Sequence, residues 1–71
     1  MTEHWDAGEM GCAQLVFELR RRVNELSPGR QLEVIARDPG APIDLPAWCH
    51  MTGNELVSED HPVYVIRRKT G

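Results

Sequence analysis

The stretch Cys12-Ala13-Gln14-Leu15-Val16-Phe17-Glu18-Leu19-Arg20-Arg21-Arg22-Val23-Asn24-Glu25-Leu26 decides how this chain folds. Leu15, Val16, Leu19, Val23 and Leu26 recur at spacings of one, three and four, which places them on one face of a helix. Glu18, Glu25 and the run Arg20-Arg21-Arg22 cover the other side. Ser27-Pro28-Gly29 stops the helix, because proline cannot continue it and glycine accepts the left-handed cap. Arginines in its latter half suit the negative end of the helix dipole. A helix is predicted over Cys12–Leu26.

On the N-terminal side of that helix, Glu3 to Asp6 reads as a short strand whose bulky apolar residue is Trp5. Gln31 to Arg37 is a second strand, with Leu32, Val34 and Ala36 on one face and Glu33, Ile35 and Arg37 on the other. Asp38-Pro39-Gly40-Ala41-Pro42 is a rigid connection of turn residues. A second helix is expected over Leu45–Thr52, with Asp44 as its N-cap, Pro46 in its first turn and Gly53 as its stop. Glu55–Ser58 and Val63–Arg68 read as paired strands joined by a turn near Glu59-Asp60-His61-Pro62. The order is β-α-β-α-β-β. Its economical burial is an α/β two-layer sandwich, a four-stranded mixed sheet with two helices on one face.

At 71 residues the chain is expected to form one domain, residues 1–71, around one core. A hydrophobic fraction of 41% and a charged fraction of 27% are those of a globular protein, and a net charge of −3 does not mark a general nucleic-acid binder. Two cysteines do not make a disulfide scaffold. Met1 to Asp6 carries acids and no apolar run, so no signal peptide is expected, and no stretch approaches the ~18 apolar residues of a membrane span. A reducing cytoplasm is the expected location, with both thiols free.

Cys12 is the candidate for chemistry. It comes after Gly11 at the start of the long helix, where unpaired backbone N–H groups favour an anion and a thiol tends toward thiolate. Position alone fits a second reading equally: a packed cysteine extending the apolar stripe ahead of Leu15 and Val16. Cys49, beside Trp48 in the second helix, is expected in the core, as are Trp5 and Trp48. His4, His50 and His61 match no metal-site spacing, and neighbouring Cys49 and His50 point about 100° apart on a helix, so no metal is expected. The basic runs Arg20-Arg21-Arg22 and Arg67-Arg68-Lys69 read as solvated element ends, with protein docking favoured over RNA because no aromatic residues interleave on the sheet.

The chain resembles the TusA/SirA family of small sulfur-carrier proteins over nearly its whole length. The resemblance is carried by Asp6 and Gly8 ahead of Met10-Gly11-Cys12, and by Leu26-Ser27-Pro28-Gly29. It continues through Asp38-Pro39 and Asp44-Leu45-Pro46-Ala47-Trp48-Cys49 to Gly53 and Val65-Ile66-Arg67-Arg68. It implies a two-layer sandwich in the same order of elements, and a persulfide carrier that takes sulfane sulfur on the cysteine aligned with Cys12. A donor of cysteine desulfurase or rhodanese type and an acceptor protein are the implied partners, with no cofactor. The family's Cys-Pro-x-Pro opening is here Cys12-Ala13-Gln14-Leu15, and the glycine three residues before the cysteine is displaced to Gly8, with Glu9 in its place. Ala13 restores a backbone donor beside the sulfur, whereas Glu9 disfavours a second anion. The rival readings are a non-catalytic interaction module of the same fold and an RNA-binding domain using the arginine runs.

Overall fold

The computed structural model describes residues 2–70. Its elements are β1 (Thr2–Gly8), α1 (Cys12–Asn24), β2 (Gln31–Ala36), α2 (Ala41–Thr52), β3 (Glu55–Asp60) and β4 (Val63–Arg67). The sheet order is β1-β2-β4-β3; β1 runs parallel to β2, and β4 is antiparallel to both β2 and β3. This is the expected mixed four-stranded sheet and the expected order of elements.

The alternation in β2 sorts its side chains as the sequence predicts. Leu32, Val34 and Ala36 are buried, and Tyr64 and Ile66 of β4 join them on the same face. Leu15, Leu19 and Val23 of α1 and Ala41, Leu45, Trp48 and Cys49 of α2 close over that face in one core. Trp5 packs against this core at its margin. It is half-buried, and the Arg22 guanidinium lies 4.5 Å from its ring centroid, where a cation is attracted to the aromatic face.

Helix α2 begins earlier than expected. Gly40 is its N-cap residue, so Asp44 lies inside the first turn instead of capping it, and Pro46 sits within the helix. The start moves because Asp38 does the capping from outside: its side-chain Oδ2 accepts the Gly40 N–H at 2.9 Å and its carbonyl accepts the Ala41 N–H at 3.0 Å. Pro46 removes one helical donor, whose acceptor would be the carbonyl of exposed Pro42. Gly53 ends α2 as expected, with φ at 78° and its N–H on the Cys49 carbonyl at 2.9 Å. Strand β3 runs two residues further than expected, and the turn contracts to His61-Pro62, whose peptide bond is cis.

Helix α1 also ends earlier than expected, with Glu25 as its C-cap residue. Arg68 donates to the carbonyls of Asn24 and Leu26, so the chain after β4 satisfies acceptors that the helix end leaves open.

Leu19 lies at the centre of the α1 face and is 0% exposed. Leu19→Ala is expected to destabilise the protein by roughly 2–5 kcal/mol, a large part of what so small a fold has. A thermal melt reads this out, and an unchanged midpoint would contradict the assigned helix face.

Candidate functional site

Parallel pairing of β1 and β2 sets their C-terminal ends side by side, and the site forms just beyond those ends. Gly8 leaves β1 at φ 62° with its N–H on Asp6 Oδ1 at 2.8 Å, a turn that glycine makes without steric penalty. The same Asp6 oxygen takes Arg37 Nη1 at 2.8 Å, while the Arg37 N–H reaches the Gly8 carbonyl at 3.2 Å. These bonds tie the segment leading to Cys12 to the segment leading to Asp38. Strand β4 brings a third segment to the same end, since Val63 pairs with Ile35 and the Ala36 N–H binds the Pro62 carbonyl at 2.8 Å.

Cys12 is the first residue of α1, half-buried, with Gly11 as the extended N-cap residue whose carbonyl accepts the Leu15 N–H at 2.8 Å. Its Sγ donates to Asp38 Oδ2 at 2.8 Å, the oxygen that also accepts the Gly40 N–H. A side chain at Gly40 would crowd the site. A β-carbon on it would fall 3.0 Å from both Cys12 Sγ and Asp38 Oδ2 and 3.1 Å from Asp44 Oδ2. The absence of a side chain at Gly40 lets the sulfur and two carboxylates converge.

That convergence reverses the expected thiolate character. The Cys12 thiol is pushed up to about 12, first by its hydrogen bond to Asp38, then by Asp44, with desolvation adding to both. A helix N-terminus offers about half a positive charge. Two carboxylates close to the sulfur outweigh it, and the resting thiol is protonated. Asp38 moves the opposite way, held below the usual carboxylate range by the Cys12 thiol and then by the Gly40 N–H, with the charge of His61 a smaller contribution. His61 Nδ1 is itself 2.6 Å from the buried Tyr64 hydroxyl.

Cys12 opens onto a groove of about 360 Å³ between the two helices, which it lines together with Ala13, Val16, Asp44, Trp48 and Met51. Phe17, Ile43 and Met51 are large apolar residues left 69%, 75% and 79% exposed on α1 and α2. Cys49 takes the packed position expected of it, 3% exposed, with its thiol pushed up to about 11 by burial. Most of the arginines of the two runs are engaged elsewhere: Arg21 with Glu18 and Glu25, Arg22 over Trp5, Arg67 with Glu55, and Arg68 with backbone carbonyls.

Sequence reasoning singled out Cys12 as the candidate and did not foresee the three residues that the structure brings to it. Asp38 and Gly40 read as turn residues and Asp44 as a cap, since each type is ordinary in those places. The signal was the parallel β1–β2 pair, which obliges the residues beyond each strand to meet those beyond the other.

The family model for Sulfurtransferase TusA matches residues 4–68. The Sulfur carrier protein TusA of Pseudomonas aeruginosa is 38% identical over 68 residues, 90% of this chain and 86% of that protein. Proteins of the same name from Pseudomonas entomophila and Pseudomonas syringae pv. tomato are 37% and 38% identical, covering 90% and 92% of this chain and 85% and 82% of their own lengths.

The raised thiol has a kinetic consequence. Against an ordinary cysteine at 9.0, the ionised fraction near neutrality falls about a thousandfold, and the greater nucleophilicity of a more basic thiolate recovers about twentyfold. Iodoacetamide is therefore expected to label Cys12 at pH 7 about fiftyfold more slowly than a free thiol. The rate should climb about tenfold per pH unit up to pH 10, while Cys49 labels only on unfolding. Site-resolved mass spectrometry measures both, and a Cys12 rate that levels off below pH 8 would contradict the carboxylate contacts.

Proposed function

Since this chain belongs to the TusA sulfurtransferase family, we propose that Cys12 is the residue on which it carries sulfur. It accepts sulfane sulfur from a donor protein and relays it to an acceptor. The observation that carries this reading is the contrast between two cysteines: Cys12 begins α1 and lines an open groove, whereas Cys49 is packed in the core.

In the forward step the Cys12 sulfur attacks the outer sulfur of a donor persulfide, R–S–SH. A new S–S bond forms at Cys12, the donor's own S–S bond breaks, and the R–S⁻ leaving group takes up the proton that Cys12 gives up. The balance is one thiol and one persulfide on each side, with no net oxidation. An acceptor thiolate then repeats the exchange on the loaded carrier. The chemistry needs no cofactor, because both electron pairs come from sulfur. A cysteine desulfurase or a rhodanese supplies a persulfide of the required kind, and a reducing cytoplasm keeps both thiols free between transfers.

Incubation with a persulfide donor should add the mass of one sulfur atom, removable by a reducing agent. Cys12→Ser should abolish that gain and keep the fold, since a hydroxyl of similar size cannot hold sulfane sulfur, and Cys49→Ser should retain it. Intact-protein mass spectrometry is the test. Sulfur on Cys49, or on neither thiol with several donors, overturns the reading.

A further inference from the structure

Resting on the reading of Cys12 as the sulfur-carrying residue, we propose that Asp38 and Asp44 determine which donors this carrier accepts: they select a persulfide delivered beside a positively charged group. Two independent features of the site lead there. The first is the grip on the reacting atom itself, in which the Cys12 Sγ donates to Asp38 Oδ2 at 2.8 Å and the side-chain-free Gly40 leaves room for Asp44 on the same side. The second is access. Asp44 and Cys12 line the same groove, so a sulfur arriving at the thiol through that groove has a carboxylate beside it.

The charge of this pair is unbalanced within the protein. Among the described residues, no Lys, Arg or His nitrogen lies within ion-pair distance of Asp38 or Asp44. Arg37, next in sequence to Asp38, is committed to Asp6 at 2.8 Å. His61, from the turn between β3 and β4, acts on Asp38 only through its charge and only when protonated. The charged groups acting on the sulfur are therefore Asp38 from the connection after β2 and Asp44 from α2, with His61 acting on Asp38 alone.

An anionic donor meets the Asp44 carboxylate in the groove and the Asp38 carboxylate on the thiol, and leaves the thiol gripped. A cationic group beside the donor sulfur pairs with the carboxylates, weakens their hold on the thiol proton, and stabilises the thiolate as it attacks. The bond from Cys12 Sγ to the outer sulfur forms, the donor S–S bond breaks, and the proton passes to the leaving thiolate. The carboxylates supply no atom to this exchange. They set the charge of the group that must accompany the sulfur.

The test uses Cys49→Ser protein and two pairs of probes. The first pair is trimethylammonioethyl methanethiosulfonate and sulfonatoethyl methanethiosulfonate, each rate divided by that reagent's rate with mercaptoethanol. In both, the thiolate attacks the divalent sulfur, a mixed disulfide forms and methanesulfinate leaves. The second pair is the persulfide of cysteamine, which carries an ammonium group, and the persulfide of mercaptoacetate, which carries a carboxylate. The cationic member of each pair should react with Cys12 about tenfold faster at low ionic strength, with the preference shrinking as salt is added. Asp44→Asn should lessen the preference, and Asp38→Asn with Asp44→Asn should remove it. Asp44→Asn alone keeps the test decisive if loss of the Asp38 cap unfolds α2. A purely structural role for the carboxylates would change both probes of a pair alike. Equal rates in the wild-type site, or a preference that survives both substitutions, overturn the proposal even where sulfur loads on Cys12. A preference in the thiosulfonate pair with no loading from either persulfide overturns instead the carrier reading on which it rests.

Discussion

The parallel pairing of β1 with β2 is the constraint on which the rest of this molecule depends. Two adjacent parallel strands cannot be joined by a tight turn, so the chain between them must cross over the sheet, and α1 is that crossover. The apolar stripe of α1 has only the core face to pack against, which fixes the helix rotation and thereby the direction of its first residue. Both strands also finish at the same edge of the fold. The chain leaving β1 leads to Cys12, the chain leaving β2 leads to Asp38, and the Asp6–Arg37 pair at 2.8 Å holds the two exits together. The site is a by-product of topology before it is a matter of residue chemistry.

Within that frame the behaviour of Cys12 is decided by competition between a helix terminus and two acids. The terminus is worth a fractional charge and acts through the backbone N–H groups of one turn. The acids carry whole charges, and one of them accepts the thiol proton directly at 2.8 Å. Whole charges in contact win. Neither Ala13 nor the lost motif prolines enters this balance strongly, because the dominant partner comes from the far side of the sheet crossover, 26 residues along the chain.

The legibility of the sequence divides along the same line. The α1 stripe, the alternation of β2 and the glycine stop of α2 were readable because each is a local pattern whose period or cap reports directly on the backbone. Cys12 was readable by its place at the helix start and by the family resemblance. The start of α2 was not, since Asp44 is a good capping residue and nothing local says that Asp38 caps from six residues earlier. Trp5 lies against the core as its type suggests, but its cover by Arg22 was hidden because that residue reads as one of three solvated arginines. The acidic surroundings of Cys12 were hidden for a stronger reason: contacts between residues so far apart depend on strand order, and strand order is not written in any short window.

A carrier has to reconcile two demands that pull against each other. Its sulfur must be reachable by two different partners, which exposes it, and a reachable thiolate is also the form that oxidants attack. At pH 7 a thiol with its pKa raised to about 12 is ionised in roughly one molecule in 100,000, so the idle form is protected by protonation instead of by burial. Cys49 shows the alternative solution, protection by packing, and it is closed to exchange for that reason. On the proposed reading of Cys12 as the carrying residue, protection by a carboxylate would be reversible at contact: a charge on the partner would undo it, where no partner could unpack the core. The groove between α1 and α2, lined by Val16, Trp48 and exposed Met51, would give such a partner apolar surface to rest on while the charge is exchanged. Access and restraint are thus met by separate groups, the helices providing the first and the two aspartates the second.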